Sequence, residues 1–323
     1  MDKSKKDKLG NAARSDLPNV HELFLTAIIA NEDFERTLRI LQGYCAMSPV
    51  EVLTRKLTWE GPRTRTPAGI DVKFIKNQPP AKVPQWIHPF QMLFLSWLSF
   101  YPKPGLSSLV SIGGLSVQLS RQSYIMHLLY EVDRQSFGKA ESDHIPAFQA
   151  SQTPSPLDQR PGVLRWNDLP EPTEIPKLPD GRPVDPDAVK LVNTRLMFSI
   201  ENQGLCSLMK MINHRFVREV IQETNRFVHG DVVFELTRYL QFPVGENDNP
   251  STIRNELPDF DTLTPFDSEN KWILSASTIV TRGDNPQQVK KGTDQLVAIK
   301  DDFEGCFDFK VLDRHIFDTR VKF

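Results

Sequence analysis

Cysteine is scarce in this chain of 323 residues, which contains only three. Cys45, Cys206 and Cys306 are far apart, and none belongs to a CxxC pair or to a Cys/His spacing typical of zinc ligands. Neither a disulfide framework nor a zinc site is therefore predicted. Scarce, unpaired cysteines are typical of a reducing compartment such as the cytosol or the nucleus.

The chain also lacks excess charge and a long apolar run. Its 39 basic and 41 acidic residues leave a net charge of -2, which provides no general attraction to nucleic acid or to an anionic membrane. The most apolar stretch, Phe90–Tyr101, is much shorter than the roughly 20 residues that a membrane-spanning helix needs. The N-terminus has no apolar segment typical of a signal peptide. We therefore expect no direct contact with nucleic acid or with a membrane.

Catalytic motifs are missing as well. The sequence contains no GxSxG, no P-loop and no HExxH. The histidines are scattered, and His127 and His229 are interpreted as ordinary side chains in or beside strands. His315 has Asp313 and Asp318 near it, but the sequence places no cysteine or serine nucleophile beside it. We predict no catalytic residue, no cofactor-binding residue and no metal ligand.

What the chain does contain is a long predicted hairpin, from Phe216 to Phe242. Its second half places five apolar residues at alternate positions, with Arg238 as the one polar interruption, and this period of two is typical of a strand buried on one side. The segment His229–Asp231 interrupts the pattern with a glycine that permits a tight reversal. A hairpin of this length needs a sheet or a barrel around it.

Further strands and a few helices are predicted on both sides of the hairpin. The strands are His21–Ile29, Val52–Trp59, Ser123–Val132, Lys190–Ile200, Lys271–Thr281 and Cys306–Asp313. One helix follows Asn31, the predicted N-cap, and ends at Gly43; a second contains Leu205 and Ile212; a third begins near Pro286 and extends towards Gly305. The fold class is therefore mainly β (α+β): a single antiparallel barrel of about eight or more strands with a few short flanking helices, because closure removes exposed strand edges.

Composition divides the chain into one domain and three unusual segments. Residues 1–20 are predicted to be a disordered extension, and residues 21–323 a single β-barrel domain. The apolar segment at about 87–114 is interpreted as an insertion that is poorly integrated with the barrel. Ten of the 25 prolines lie between Pro146 and Pro186, so about 137–189 is predicted to be a largely irregular loop. Within it, Leu164 and Trp166 are expected to attach LRWNDLP to the surface.

The basic stretch at residues 61–84 is interpreted as a solvated loop. It contains Arg63, Arg65, Lys73, Lys76 and Lys82, but no aromatic residues alternate with them to stack on bases. Direct nucleic-acid binding through this loop is kept as a further hypothesis, and it predicts a steep dependence of binding on salt.

One enzyme hypothesis applies to a barrel of this size. A tunnel phosphohydrolase that uses divalent metal requires carboxylates at i and i+2 on several strands, so that they point inward together. In the predicted strands only Glu131 and Asp133 have this spacing, Glu219 and Glu223 are four residues apart, and Glu235 stands alone. The pattern argues against a divalent-metal-dependent phosphohydrolase like the RNA triphosphatases. We keep this enzyme class as the alternative to a non-catalytic function.

Several ordered segments resemble a known family. They are HELFLTAIIANEDFERTLRILQGYCAMSP, LTWEGPR, RQSYIMHLLYEVDR, LRWNDLPEP, RFVREVIQETNRFVHGDVVFELTRYL, PFDSENKWILSAS and KGTDQLVAIKDDFEGCFDFKVLDRHIFDTRVK. Together they run from residue 21 almost to the C-terminus, and the sequence resembles subunit 18 of the Mediator complex, fungal type. Residues 1–20 and the segment at about 87–114 have no counterpart in that pattern; the latter is either a lineage-specific insertion or a gene-model artefact.

The resemblance implies a fold, a role and partners. The implied fold is a β-barrel similar to the triphosphate tunnel fold but without its catalysis. The implied role is that of a nuclear, non-catalytic subunit of the Mediator head module, which helps to couple activators to RNA polymerase II. The implied partners are Mediator subunit 20, which has a related barrel, the C-terminal helix of Mediator subunit 8, and other head-module subunits. Trp166 and Trp272 are considered either as surface anchors or as core residues.

Overall fold

A computed structural model describes residues 20–62, 123–138, 156–173, 191–243, 252–283 and 285–321, together with Leu115 and Gln118. Residues 1–19, nearly all of the basic stretch and the segment at about 87–114 lie outside the described residues, so the predictions for them stay predictions. Most of the Pro-rich stretch also lies outside.

The described chain forms a closed antiparallel β-barrel of eight strands. The ten strands are β1 (His21–Ile29), β2 (Val50–Glu60), β3 (Ile125–Glu131), β4 (Gly162–Asn167), β5 (Glu171–Pro172), β6 (Asn193–Asn202), β7 (Arg215–His229), β8 (Val232–Gln241), β9 (Thr264–Pro265) and β10 (Trp272–Val280). The ring runs β1-β10-β8-β7-β2-β3-β4-β6 and closes where β6 pairs with β1. The two-residue strands β5 and β9 pair with β6 and β8 outside this ring. The predicted fold class is confirmed.

In the continuously described ranges of the chain, three α-helices accompany the barrel: α1 (Phe34–Cys45), α2 (Leu205–Met211) and α3 (Pro286–Asp302). The start of α3 is as predicted, because Pro286 occupies the first turn and the side chain of Asn285 accepts hydrogen bonds from the backbone N–H groups of Gln287 and Gln288. None of the described helices is both long and apolar enough to cross a membrane.

Both predicted ends of α1 are wrong. The Asn31 side chain does not cap the helix; its Oδ1 accepts a hydrogen bond of 3.1 Å from Nε1 of Trp272. The helix continues past Gly43 to Cys45, and it ends where Ala46 adopts a left-handed conformation with φ 52°. Both differences have a tertiary cause, since α1 packs its apolar stripe against the barrel over its whole length.

The central hairpin is confirmed. Strands β7 and β8 pair from Ile221 opposite Leu240 to His229 opposite Val232. Gly230, with φ 58°, and Asp231 form the two-residue reversal between them. The alternation predicted the strand correctly because every second residue of β8 contacts apolar neighbours on the same face of the barrel.

Two predictions about strands are corrected. The segment Gly162–Asn167, which composition assigned to an irregular surface loop, is the barrel strand β4, with Leu164 and Trp166 each only 1% exposed between β3 and β6. Conversely, the predicted strand Cys306–Asp313 is reduced to a single bridge between Phe309 and Ala27. Since β6 covers only the first half of β1, Lys310 completes the hydrogen bonding of Thr26 instead.

Candidate functional site: the barrel lumen

Around the ring, one face of the strands is mainly apolar, whereas the other mixes polar residues with apolar ones such as Phe24 and Ile279. In β1, Leu23, Leu25 and Ala27 belong to an apolar cluster that also contains Leu41 of α1 and Leu296 of α3. An eight-stranded barrel encloses space only for side chains or one small ligand. The face covered by helices is therefore the outer surface, and the face of mixed polarity lines the lumen.

The core thus lies outside the barrel wall, between the strands and the segments that cover them. The helices α1 and α3 cover the β1-β10-β8 side, and α2 covers β3, β4 and β6. A third apolar cluster lies where the segments around Phe137 and Leu257 pack against the hairpin. Trp166 and Trp272 belong to these clusters, so neither is a surface anchor. Trp166 stacks on Phe198, and Trp272 stacks on Phe34.

Five neighbouring strands contribute one row of hydrogen-bond donors to the lumen. Strand pairing places Arg218 opposite Thr58, Thr58 opposite His127, His127 opposite Arg165, and Arg165 opposite Ser199. Directly opposed residues share a face of the sheet, so all five side chains belong to the lumen face. We call these five residues the donor row. Thr58 Oγ1 and His127 Nδ1 are 3.4 Å apart.

Several positively charged side chains lie near the donor row. Burial of the His127 ring lowers its pKa well below the ordinary value, and the nearby charges of Lys56, Arg218, Arg165 and Arg195 lower that pKa further. His127 is therefore neutral at pH 7. The interpretation of His127 as an ordinary strand side chain is incomplete, because its ring lies among four cations.

Among the described residues, three carboxylates on the lumen face, Glu22, Glu60 and Glu235, are paired with arginine, and two more, Glu131 and Glu201, lie exposed at strand ends. Glu22 Oε2 lies 2.6 Å from Arg195 Nη2, and Glu235 Oε1 accepts from Arg226 Nη2 at 2.7 Å. Glu22 and Glu235 come from the β1-β10-β8-β7 side of the barrel, whereas Glu60, which pairs with Arg215, belongs to β2. The donor row lies mainly on the opposite side, where Glu201 is two residues from Ser199 on the same face.

The carboxylates considered for a metal tunnel do not assemble. Glu219 accepts from Arg55 at 2.7 Å and Glu223 accepts from Arg238 at 2.6 Å, both on the outer face of the barrel. Glu131 lies exposed at the end of β3, and Asp133 lies exposed beyond that strand. Among the described residues, no group of His, Cys, Asp or Glu is placed to hold a metal ion.

The other two histidines considered from the sequence, His229 and His315, are not part of the donor row. His229 is exposed at the hairpin turn, with its ring 4.7 Å from that of Tyr44. The side chain of His315 lies outside the described residues, so the interpretation of its neighbourhood stays a prediction. The sequence predicted no site residue, and the donor row was not foreseen.

A signal for the donor row is nevertheless present in the sequence. Thr58 lies between Leu57 and Trp59, His127 between Met126 and Leu128, and Arg165 between Leu164 and Trp166. A polar residue between two large apolar ones marks a lumen position in a barrel whose core is outside. Which lumen positions become neighbours depends on register across four strand pairs, and this is a tertiary property.

Comparison with known proteins places the chain in a family. The sequence profile described as "Med18 protein" matches residues 21–320. The chain is 24% identical over 314 residues to Mediator of RNA polymerase II transcription subunit 18 of Aspergillus oryzae, covering 94% of this chain and 100% of that protein. It is 23% identical over 320 residues to the protein of the same name from Aspergillus fumigatus, again covering 94% and 100%.

A solved structure shares the architecture. A chain in the structure of the Schizosaccharomyces pombe Mediator head module superposes with a TM-score of 0.51 and 12% identity, covering 90% of this chain and 98% of that chain. At this identity the likeness concerns the fold alone. The profile match, by contrast, extends over nearly the whole barrel, and on that ground this chain belongs to the Med18 protein family.

Proposed function

We propose that this chain is a non-catalytic subunit of the Mediator head module, and that it acts in the nucleus as a coregulator of RNA polymerase II transcription through protein–protein contacts. The observation that carries this proposal is the family match over residues 21–320. Relatives that align over 94% of this chain have the same Mediator name.

The chemistry of the barrel is compatible with this role. A metal-dependent tunnel phosphohydrolase needs several free carboxylates that point into the lumen together. In the described lumen Glu22, Glu60 and Glu235 are instead each paired with an arginine, Glu131 and Glu201 lie at strand ends, and no described group is placed to hold a metal ion. We infer that these ion pairs stabilise the barrel wall and that other proteins bind on its outer surfaces.

The direct partners that we propose are Mediator subunit 20 and the C-terminal helix of Mediator subunit 8. The resemblance of the sequence segments to the subunit 18 family supports this choice. A related barrel can bury a surface of the size usual for stable complexes, and an amphipathic helix can lie in an apolar groove.

The experiment is reconstitution from co-expressed chains. We would express this chain alone, with subunit 20 of the same organism, and with subunit 20 plus the C-terminal segment of subunit 8. A version of that segment with the same composition in scrambled order is the matched control. We expect a stoichiometric complex that survives gel filtration at moderate salt with the native segment only.

Two results would contradict the proposal. One is a chain that stays monomeric beside both partners. The other is release of phosphate from a triphosphate substrate in the presence of Mg²⁺ or Mn²⁺, with a specific activity that rises as the chain is purified.

A further inference from the structure

One segment, residues 309–321, joins β1 to β3 and β4 without belonging to any strand of the ring; we call it the strap. It meets β1 at Thr26. The N–H of Lys310 donates to the Thr26 carbonyl at 2.9 Å, and the Thr26 hydroxyl donates to the Lys310 carbonyl at 3.0 Å. Thr26 lies two positions beyond Phe24, where the pairing of β1 with β6 ends. The strap therefore supplies backbone partners to β1 where β6 no longer does.

The other end of the strap lies where β3 and β4 separate. Two positions beyond their last pair, the carbonyl of Thr319 accepts from the N–H of Ile125 at 2.6 Å, and its hydroxyl donates to the carbonyl of Asn167 at 2.9 Å. The N–H of Val321 then donates to the carbonyl of Ser123 at 3.0 Å. The ladders between β3 and β4 and between β1 and β6 are the two shortest of the described ring. The strap thus reinforces the ring at both places where strand pairing is shortest.

Between its two ends the strap crosses the lumen. The ring of Phe317 packs edge-on against that of Phe24, with 6.1 Å between the ring centres. Phe24 and Arg195 both face the lumen, and the guanidinium of Arg195 lies 4.7 Å from the centre of the Phe24 ring and 6.0 Å from that of the Phe317 ring. Glu22 pairs with this guanidinium at 2.6 Å. The strap therefore passes over the lumen side of β6 and not over the outer wall.

The contacts of the strap separate it from the rest of the barrel. Val311 and Ile316 are 45% and 72% exposed, so between its ends the strap buries little apolar surface apart from Phe317. Asp318 accepts hydrogen bonds of 2.8 and 2.9 Å from the guanidinium of Arg320, which hold the second half of the strap together. Helix α3, which precedes the strap, has its own apolar contacts with the barrel. Segments that bury few apolar contacts open at a lower free energy than the core.

We propose that the strap is a closing device for the lumen. It releases from both ends as one unit while the β7–β8 hairpin stays folded, and its release opens the lumen between β1 and β3. These strands are separated in the ring by β6 and β4, so the strap can leave without breaking a ladder, although both short ladders lose a neighbour. The proposal is independent of the subunit role.

The first test is hydrogen–deuterium exchange of the full chain, measured for individual amides by mass spectrometry. Lys310 reports on one end of the strap, and Ile125 and Val321 report on the other. Phe317→Ala removes the ring that packs over the lumen. Ile316→Ala removes an exposed apolar side chain at the adjacent position of the same strap, and it is the matched control.

We expect Phe317→Ala to accelerate exchange of all three amides by one common factor of about tenfold or more, because a loss of roughly 1.4 kcal/mol is a tenfold change in an equilibrium constant. The amides of β7 and β8 keep their exchange rates, since they open only with the whole barrel. Ile316→Ala leaves every rate unchanged.

A second measurement tests access to the lumen. Ser199→Cys places a thiol on the lumen face, where the serine hydroxyl makes no hydrogen bond among the described residues. Its labelling by iodoacetamide is followed by mass spectrometry of the peptide that contains it, which separates it from Cys45 and Cys306. In the Ser199→Cys background, Phe317→Ala should accelerate labelling by about the same factor as exchange, and Ile316→Ala should not.

Four results overturn the proposal. These are faster exchange at only one end of the strap, an equal acceleration in the β7–β8 hairpin, equal behaviour of Phe317→Ala and Ile316→Ala, and unchanged labelling of the lumen thiol. If Phe317→Ala does not fold, Phe317→Leu and Thr319→Val take its place. Each should accelerate exchange at both ends severalfold, because packing or one hydrogen bond of the docked strap is lost. Unchanged exchange in both replacements would also overturn the proposal.

Discussion

Breaking the ion pair between Arg55 and Glu219 is predicted to be among the costliest single changes in the barrel. The Nε of Arg55 donates to Oε1 of Glu219 at 2.7 Å, and both side chains are only 5% exposed. Among the described residues, removing Arg55 leaves Glu219 with only the backbone N–H of Arg254, at 3.3 Å, as a hydrogen-bond donor. A buried carboxylate in that position is poorly compensated, and breaking such a pair costs about 3–5 kcal/mol.

The perturbation is Arg55→Met, and the assay is urea denaturation followed by tryptophan fluorescence and circular dichroism. We expect the free energy of unfolding to fall by about 3 kcal/mol or more with an unchanged dependence on urea. In a thermal scan this corresponds to a decrease of roughly 6–12 °C at about 2–4 °C per kcal/mol. The double variant Arg55→Met, Glu219→Leu places an apolar pair on the apolar outer face, so it should be more stable than Arg55→Met alone.

Lys290→Met provides the control, because Lys290 and Asp294 form an ion pair of 2.6 Å on α3 with side chains that are 63% and 59% exposed. An exposed pair of this kind contributes about 0.3–0.5 kcal/mol. The reasoning is refuted if Arg55→Met costs no more than Lys290→Met, or if the double variant is the least stable of the three.

Three further predictions concern the core, a helix end and the dependence on pH. Trp166→Ala should lower the free energy of unfolding by about 3–5 kcal/mol in urea, because the ring is buried in the wall of the barrel; a loss below about 1 kcal/mol would mean that the segment is a surface loop after all. Asn285→Ala should cost about 1 kcal/mol and Asn285→Asp much less, since only the first removes the cap of α3; equal losses in urea denaturation would contradict this. Burial lowers the pKa of His214 from 6.5 to about 4, so the unfolded chain binds more protons there. Stability contributed by this residue is complete above pH 6.5 and decreases as the pH falls towards 4; urea midpoints at several pH values should show this slope, and His214→Gln should reduce it.

The sequence predicted the parts of the fold whose signal is local. The hairpin was found because alternate residues of β8, such as Phe234 and Leu236, face one continuous apolar surface, and because Gly230 marks the reversal. The first strand and the start of α3 were found for the same reason, since alternation and capping act over a few residues.

Parts that depend on distant partners were not predicted. The strand β4 alternates as well as any other, but its position between prolines led to the prediction of an irregular loop. Asn31 looked like a helix cap, whereas its side chain is used by Trp272, 241 residues away in the sequence. The donor row joins five segments through strand register, so single residues such as Thr58 or Ser199 do not stand out until the barrel closes.

The measurement that most directly tests the central claim is affinity purification of the tagged chain from nuclei of its own organism, followed by quantitative mass spectrometry. If the chain is a Mediator head subunit, the other head subunits should be recovered with it in near-equal amounts, and they should remain after a wash in moderate salt. Recovery of the chain without Mediator subunits, under conditions in which a known Mediator subunit retrieves the intact complex, would contradict the account.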